Sequence, residues 1–244
     1  MSTFTYLITG ASRSLGLGYT RALLAARPDA RVVAAARNPS GATDLQALAN
    51  EDANKGRIHI LQLDVESKEQ VAKAAKDLEA SGFLGETGAL DALVHNAGVA
   101  LNHQTKPSQL EPEDVLDNLN INLFGVLNVN KAFLPFLEKG KGKQLFALSS
   151  VCASIEQWGN NVMTPAYSLS KVALNMWMSK VAAELGPKGY TVIMVRYVRS
   201  DMNSGAGDIT TEEAADFAVK NVFLVAKPEL NGSFLRYSGE KMPW

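Results

Sequence analysis

Phe4-Thr5-Tyr6-Leu7-Ile8, running into Thr9-Gly10-Ala11-Ser12-Arg13-Ser14-Leu15-Gly16-Leu17-Gly18, decides the fold of this chain. A short apolar, β-prone run passes into a glycine-rich turn, and a helix-like stretch then continues to Ala26. Glycines there let the backbone turn tightly and approach a pyrophosphate, whose charge is favoured by the N-terminus of the helix that follows. A glycine-rich turn is a weak signal by itself; its position after the first strand strengthens it.

Outward from this unit the same alternation repeats. Arg31–Ala35, Ile58–Leu63, Ala89–Val94, Gln144–Leu148, Thr191–Tyr197 and Ser233–Tyr237 are further strand-like runs. Several are nearly continuously apolar, as strands buried on both faces of a parallel sheet are. Between them lie amphipathic segments. Val71–Leu78 has apolar or small residues at helical spacing, and Ser67 with Gln70 predicts a capping box at its start. The helix beginning near Ala166 is expected to stop at Gly186-Pro187, with glycine taking a left-handed turn. The alternation implies an α/β fold: one domain over residues 1–244, a Rossmann-type doubly wound parallel sheet of about seven strands with helices on both faces. Ligands of such sheets bind at the carboxyl ends of the strands, where the strand order reverses.

The chain has 244 residues, 20% of them charged, and a formal net charge of −1. No basic field or run points to nucleic acid or a membrane surface. No apolar stretch reaches the roughly 18–20 residues that span a bilayer, and the N-terminus reads as a strand rather than a signal peptide. A single cysteine, Cys152, rules out an intramolecular disulfide. The expectation is a soluble, cytoplasmic protein. His59, His95 and His103 show no metal-ligand spacing, so no metal is expected.

Charge near the turn bears on which dinucleotide would bind. A site for NAD(H) usually has Asp or Glu at the end of the second strand, to hold the ribose 2′-hydroxyl. Here the strand ends Ala34-Ala35-Ala36-Arg37-Asn38, with no acid. Arg13 in the turn and Arg37 past the strand are candidates to hold a 2′-phosphate, which favours NADP(H). Further on, Tyr167-Ser168-Leu169-Ser170-Lys171 sets a phenol and an ammonium at i and i+4, on one helix face. A nearby ammonium lowers the pKa of a phenol and moves it toward a useful range for acid–base work. Taken alone, such a pair is usually an ordinary surface feature. It gains meaning from Ser149-Ser150 at the end of Gln144–Leu148, from the small-residue turn His95-Asn96-Ala97-Gly98, and from Asn122-Leu123-Phe124-Gly125 between them.

With these residues in hand, the chain resembles the short-chain dehydrogenase/reductase family from Tyr6 to its end. Thr9–Gly16 looks like the family's Thr-Gly-x-x-x-Gly-x-Gly, and His95–Gly98 like its Asn-Asn-Ala-Gly. Asn122, Ser150, Tyr167 and Lys171 match its Asn-Ser-Tyr-Lys set, and Asp64 matches a residue that contacts adenine. The ending Ser238–Trp244 and the long loop between Ser150 and Tyr167 are similar to the carbonyl reductase and norsolorinic acid ketoreductase-like subgroup. The resemblance implies NADPH-dependent reduction of a ketone or aldehyde that is hydrophobic or aromatic. In that scheme Tyr167 gives the proton and Ser150 bonds the carbonyl oxygen. Lys171 tunes Tyr167 and holds the nicotinamide ribose, while Asn122 positions a proton-relaying water. It also implies cofactor contacts from Gly10, Ser12, Arg13, Ser14, Leu15, Gly16, Arg37, Asp64, Asn96, Ala97, Gly98, Tyr167, Lys171 and Val198, and a homodimer or homotetramer.

Three departures stand out. Ser14 replaces the middle glycine, so it either crowds a turn that needs positive φ or offers a hydroxyl to a phosphate. His95 replaces the first Asn and reads as mainly structural. Third, the family's Pro-Gly turn after the sixth strand is missing from Val195-Arg196-Tyr197-Val198-Arg199-Ser200-Asp201-Met202. That loss supports an alternative, an NADP(H)-binding protein with little or no turnover. A longer sugar-nucleotide epimerase or dehydratase is disfavoured, because too little chain follows Met202 for a separate substrate domain. Ser149 and Ser154 are rivals of Ser150. Trp158, Met163 and Met202 are either substrate-pocket or packing residues, and Cys152 reads as structural.

Overall fold

The computed structural model describes residues 3–197 and 209–244. Seven strands form one parallel sheet in the order β3-β2-β1-β4-β5-β6-β7. They are β1 (Phe4–Thr9), β2 (Ala30–Ala36), β3 (Ile58–Gln62), β4 (Ala92–His95), β5 (Gln144–Ser150), β6 (Thr191–Tyr197) and β7 (Ser233–Arg236). The helices are α1 (Ser14–Ala26), α2 (Thr43–Asn50), α3 (Lys68–Ala80), α4 (Pro112–Leu119), α5 (Val126–Lys139), α6 (Ile155–Trp158), α7 (Pro165–Leu185) and α8 (Thr211–Ala218). Two hydrophobic cores cover opposite sheet faces. Leu7, Leu93, Phe133 and Met178 belong to one, and Ile8, Val94, Tyr19 and Phe223 to the other. Alternate residues of a strand point to opposite faces, so the continuously apolar strands feed both cores. The doubly wound architecture expected from the alternation is present.

Boundaries moved where side chains compete with the ladder. β4 starts at Ala92 rather than Ala89 and runs one residue further, through His95. The Asp91 carboxylate accepts from the backbone N–H groups of Thr5 (2.9 Å), Lys141 (3.0 Å) and Gly142 (3.1 Å), and so ties three segments together ahead of the strand. His95 is therefore a strand residue, 3% exposed, rather than part of the turn. Burial holds its imidazole neutral, with the pKa lowered to about 3.

Only half of the expected capping box forms on α3. Ser67 Oγ accepts from Gln70 N–H (3.2 Å), while the Ser67 N–H donates to the Asp64 carbonyl (3.3 Å). α7 ends at Leu185 as expected, yet Gly186 keeps right-handed angles (φ −52°). Pro187 fits a further tight turn over Gly186–Lys188, and the left-handed residue is Gly189 (φ +85°).

Candidate active site

The strand order reverses between β1 and β4, and their carboxyl ends open into a cleft of about 1020 Å³. Thr9 and Asn96 hold its floor. The Thr9 hydroxyl accepts from the N–H groups of Asn96 and Ala97 (both 3.0 Å), and Asn96 Nδ2 donates to the carbonyls of Thr9 (2.8 Å) and Gly10 (3.1 Å). Thr9 and Asn96 thus fasten the end of β1 to the turn after β4. Gly10 takes φ +67°. At Gly16 a Cβ would stand 2.3 Å from the Gly10 carbonyl oxygen and 2.7 Å from Asn96 Nδ2, so α1 starts this close to the turn only with glycine there.

Ser14, in the middle-glycine position, does adopt the left-handed region, with φ +47°. Its Oγ is buried without a hydrogen-bond partner among the described residues, and Ser14 lines the cleft. The left-handed backbone is strained, and the orphaned hydroxyl is left without a described protein partner at the wall of the cleft.

The candidate nucleotide residues share this one cleft. Gly10 and the run Ser12, Arg13, Ser14, Leu15 and Gly16 line it, as do Arg37, Asp64, Asn96, Ala97 and Gly98. Arg13 and Arg37 are exposed, and neither forms an ion pair with a described residue. A glycine cradle at a helix N-terminus with two unpaired guanidiniums at its rim fits a phosphorylated dinucleotide. Val198 and Met202 lie outside the described residues.

The proposed chemical groups meet deeper in the cleft. Tyr167 stands in the first turn of α7 (9% exposed) and Lys171 one turn on (4% exposed), its Nζ 5.7 Å from the Tyr167 ring centre. Lys171 Nζ donates to the Leu148 carbonyl (2.9 Å), which ties α7 to the end of β5. Ser150 closes β5 and lines the same cleft as Tyr167; its Oγ accepts from the Cys152 N–H (3.2 Å). Burial pushes the Tyr167 phenol above its usual range, with Cys152 adding to the shift and the Ser150 hydroxyl opposing it, so the lowering expected from the Tyr-Lys spacing is outweighed by desolvation. Burial brings the Lys171 ammonium down to about 8. Near neutral pH the site therefore holds a protonated phenol beside a charged ammonium, a proton donor with a fixed positive charge behind it.

Asn122 does not line the cleft. It sits in a π-helical turn, Asn120–Gly125, fully buried. Its Oδ1 accepts from Val99 N–H (2.9 Å), and its Nδ2 donates to the Val99 carbonyl (2.8 Å) and to Ser170 Oγ (2.9 Å). A Cβ on Gly98 would lie 3.0 Å from Asn122 Oδ1 and 3.4 Å from Lys171 Nζ, so the small residue lets both approach. The rivals of Ser150 separate by geometry. Ser149 Oγ donates to Asn175 Oδ1 (2.7 Å) in the interior, and Ser154 caps α6. Trp158 and Met163 line the cleft, and so do His103 and Cys152. The sequence carried no cue for His103. Ser170, which receives Asn122 and donates to the Tyr167 carbonyl (2.7 Å), was readable only as one of several hydroxyls on the Tyr-Lys helix.

Comparison with known proteins agrees with this geometry. The short chain dehydrogenase family profile matches residues 5–210. An uncharacterized oxidoreductase of Schizosaccharomyces pombe is 30% identical over 258 residues, covering 98% of this chain and 97% of that protein. Norsolorinic acid ketoreductase of Dothistroma septosporum is 30% identical over 255 residues, covering 98% and 92%. Among solved structures, the carbonyl reductase Sniffer of D. melanogaster superposes with a TM-score of 0.88 at 27% identity, covering 99% of this chain and 100% of that one. An NADPH-bound carbonyl reductase from chicken fatty liver gives 0.87 at 25% identity, with both chains covered in full. With this sheet order, this cleft and these relatives, the chain belongs to the short chain dehydrogenase family.

Proposed function

We propose that this protein reduces the carbonyl of a ketone or aldehyde, with NADPH as its cofactor and Tyr167 as its proton donor. The observation that carries this reading is the joint placement of Ser150, Tyr167 and Lys171 in the cleft whose rim bears Arg13 and Arg37. NADPH, when bound, supplies a hydride; positioning and proton supply are left to the protein. Gly10, Ser12–Gly16, Asp64 and Asn96–Gly98 would hold the nucleotide, and Arg13 and Arg37 its 2′-phosphate.

Ser150 and Tyr167 line one cleft, where a substrate oxygen would accept from both hydroxyls. Donors fixed in advance around developing negative charge stabilise it without reorganisation. The high pKa of Tyr167 keeps the proton on the phenol until that oxygen becomes basic, and Lys171 offsets the charge left on the ring. Asn122 acts here as a positioning residue, joining the Val99 loop to Ser170 beneath Tyr167. A cytoplasmic homodimer or homotetramer accompanies this reading on family grounds.

Titration with NADPH and then NADH, followed by calorimetry, tests the cofactor assignment. NADPH is expected to bind more tightly, and Arg13→Ala with Arg37→Ala to weaken NADPH about 10–100-fold per guanidinium while leaving NADH nearly unchanged. Equal affinities for the two nucleotides would overturn it. A second reading, nucleotide binding without turnover, is favoured by one observation: the Pro-Gly turn that the family resemblance implies after Thr191–Val195 is missing, and the larger Arg196 and Tyr197 follow the strand instead. Restoring Pro-Gly with no gain in carbonyl reduction would support that reading, and a large gain would support an impaired reductase.

A further inference from the structure

Arg196 and Arg236 stand side by side at the carboxyl ends of β6 and β7. The register pairs Ser149 with Arg196 and Arg196 with Arg236, so the three form one row across β5, β6 and β7. Paired residues of a ladder point to one face. Met194 and Phe234, two residues earlier, belong to the core that holds Phe133 and Met178, which sets the face of this row. The chain after β7 folds back beside it: Leu235 bridges Lys241, Met242 N–H donates to the Phe234 carbonyl (2.8 Å), and Trp244 stacks on Phe234. Met242, a buried residue, is thereby held against both guanidiniums.

The row is rich in donors and poor in acceptors. Arg196 Nη1 reaches Met242 Sδ at 3.8 Å, and Arg236 Nε reaches the same sulfur at 3.4 Å. A thioether is a weak acceptor. Arg196 Nε is buried with no partner among the described residues, and Arg196 forms no ion pair with any of them. Next in the row, Ser149 donates to Asn175 Oδ1 (2.7 Å), and Asn175, 2% exposed, is left with an unpaired Nδ2. The described titratable groups that act on Arg196 are Arg236, Tyr237 and Cys152, none of them a carboxylate. Burial first, and then Arg236, lowers the Arg196 pKa. Arg236 has one acidic neighbour, the exposed Glu240 at 3.9 Å, an attraction that solvent weakens. Two close cations with a buried N–H unpaired would be satisfied by an oxyanion, because guanidinium forks match carboxylate and phosphate oxygens in pairs.

We propose that Arg196 and Arg236 form an oxyanion site, for a carboxylate or phosphate group, separate from the nucleotide cradle and from Tyr167. Neither arginine lines the cleft, whereas Ser149, the neighbour of Arg196 in register, does. The group held there is either a free small anion or an acidic end carried by the carbonyl substrate; the second source rests on the reductase reading above.

Inorganic phosphate tests the site on the full-length protein carrying Arg13→Ala and Arg37→Ala, which silences the other cationic rim whatever nucleotide the protein binds. Ionic strength is held constant with sodium chloride, so that screening does not change. Calorimetry is expected to show a phosphate-binding event, and the melting temperature to rise with phosphate. Adding Arg196→Met or Arg236→Met is expected to weaken phosphate about 10–100-fold and to cancel the rise. Without phosphate the melting temperature should stay at or above that of the parent, since methionine fills the space without a buried charge. Arg196→Lys keeps the charge without the fork and is expected to bind phosphate with intermediate affinity; it serves if a methionine variant does not fold. No phosphate event in the parent, or one that survives both methionine variants unchanged, overturns the site. In the protein with Arg13 and Arg37 intact, a keto acid and its methyl ester separate the two sources. A loss in kcat/KM of about tenfold or more for the acid alone on Arg196→Met assigns the site to the substrate's carboxylate. An equal response of acid and ester, with phosphate binding retained in the parent, assigns it to a free anion. Phosphate binding without turnover of either compound upholds the site and counts against the reductase reading alone.

Discussion

Tyr167 and Lys171 are pulled by burial in opposite directions, the phenol up and the ammonium down to about 8. Both shifts disfavour charge, as desolvation does. The consequence is a donor that holds its proton across the working range and a cation that does not. Tyr167→Phe is expected to lower carbonyl reduction by about 10²–10⁴-fold, with NADPH affinity and melting temperature close to wild type. Activity within tenfold of wild type would remove Tyr167 from the chemistry. The pH dependence has a definite sign. Below about 8 Lys171 is charged, which in the proposed mechanism offsets the charge left on the phenol, and above it the charge is lost. The kcat/KM for reduction at saturating NADPH should therefore fall as pH rises through about 8; a profile flat to higher pH would show that the ammonium charge does not act. The Tyr-x-x-x-Lys spacing was legible as a helix-face pair. Its depth in the protein was not, since burial is set by α7 packing on β5, to which Lys171 is tied through the Leu148 carbonyl.

At the scale of elements, the junction of β1 and α1 sets the nucleotide cradle. The glycine pattern showed a tight turn in the sequence, and the structure supplies the reason for each member. Gly10 needs a positive φ, and Gly16 lets α1 begin against the Gly10 carbonyl and Asn96. Gly16→Ala is expected to destabilise the fold by about 1–3 kcal/mol, because a methyl group there must displace backbone rather than a flexible side chain. It should also weaken NADPH binding, and melting together with nucleotide titration checks both; an unchanged melting temperature would mean that the turn relaxes freely. Whether Ser14 would need a left-handed backbone could not be read locally. The angle follows from where the end of β1 and the axis of α1 must meet. At α3, Ser67 caps as expected, but its N–H bonds Asp64 instead of completing a box, a choice made by the turn that precedes it.

For the whole molecule, the strand order brings the ends of β1, β4 and β5 to one edge, so residues far apart in sequence share a cleft. A ligand held there touches both halves of the sheet and binds the folded chain only. NADPH at about a hundred times its Kd is then expected to add about 2.7 kcal/mol to stability, a rise in melting temperature of about 5–10 °C for a chain of this size. NADH at the same concentration should give a smaller rise, and equal shifts would count against the roles of Arg13 and Arg37.

By itself the sequence determined the alternation of strands and helices, the parallel sheet, the position of the glycine-rich turn and the residue types that could carry the chemistry. These are local properties, written in periodicity, turn residues and spacings within one element. Only the tertiary structure decided that Arg13 and Arg37 line one cleft, that the Ser149 hydroxyl is spent on Asn175 while Ser150 joins Tyr167 in the cleft, and that Asn122 is spent on Val99 and Ser170. It also moved His95 into the strand, where Asp91 sets the start of β4. Each of these depends on contacts between segments tens of residues apart. Such contacts form only when the sheet order is in place, and no local pattern encodes them.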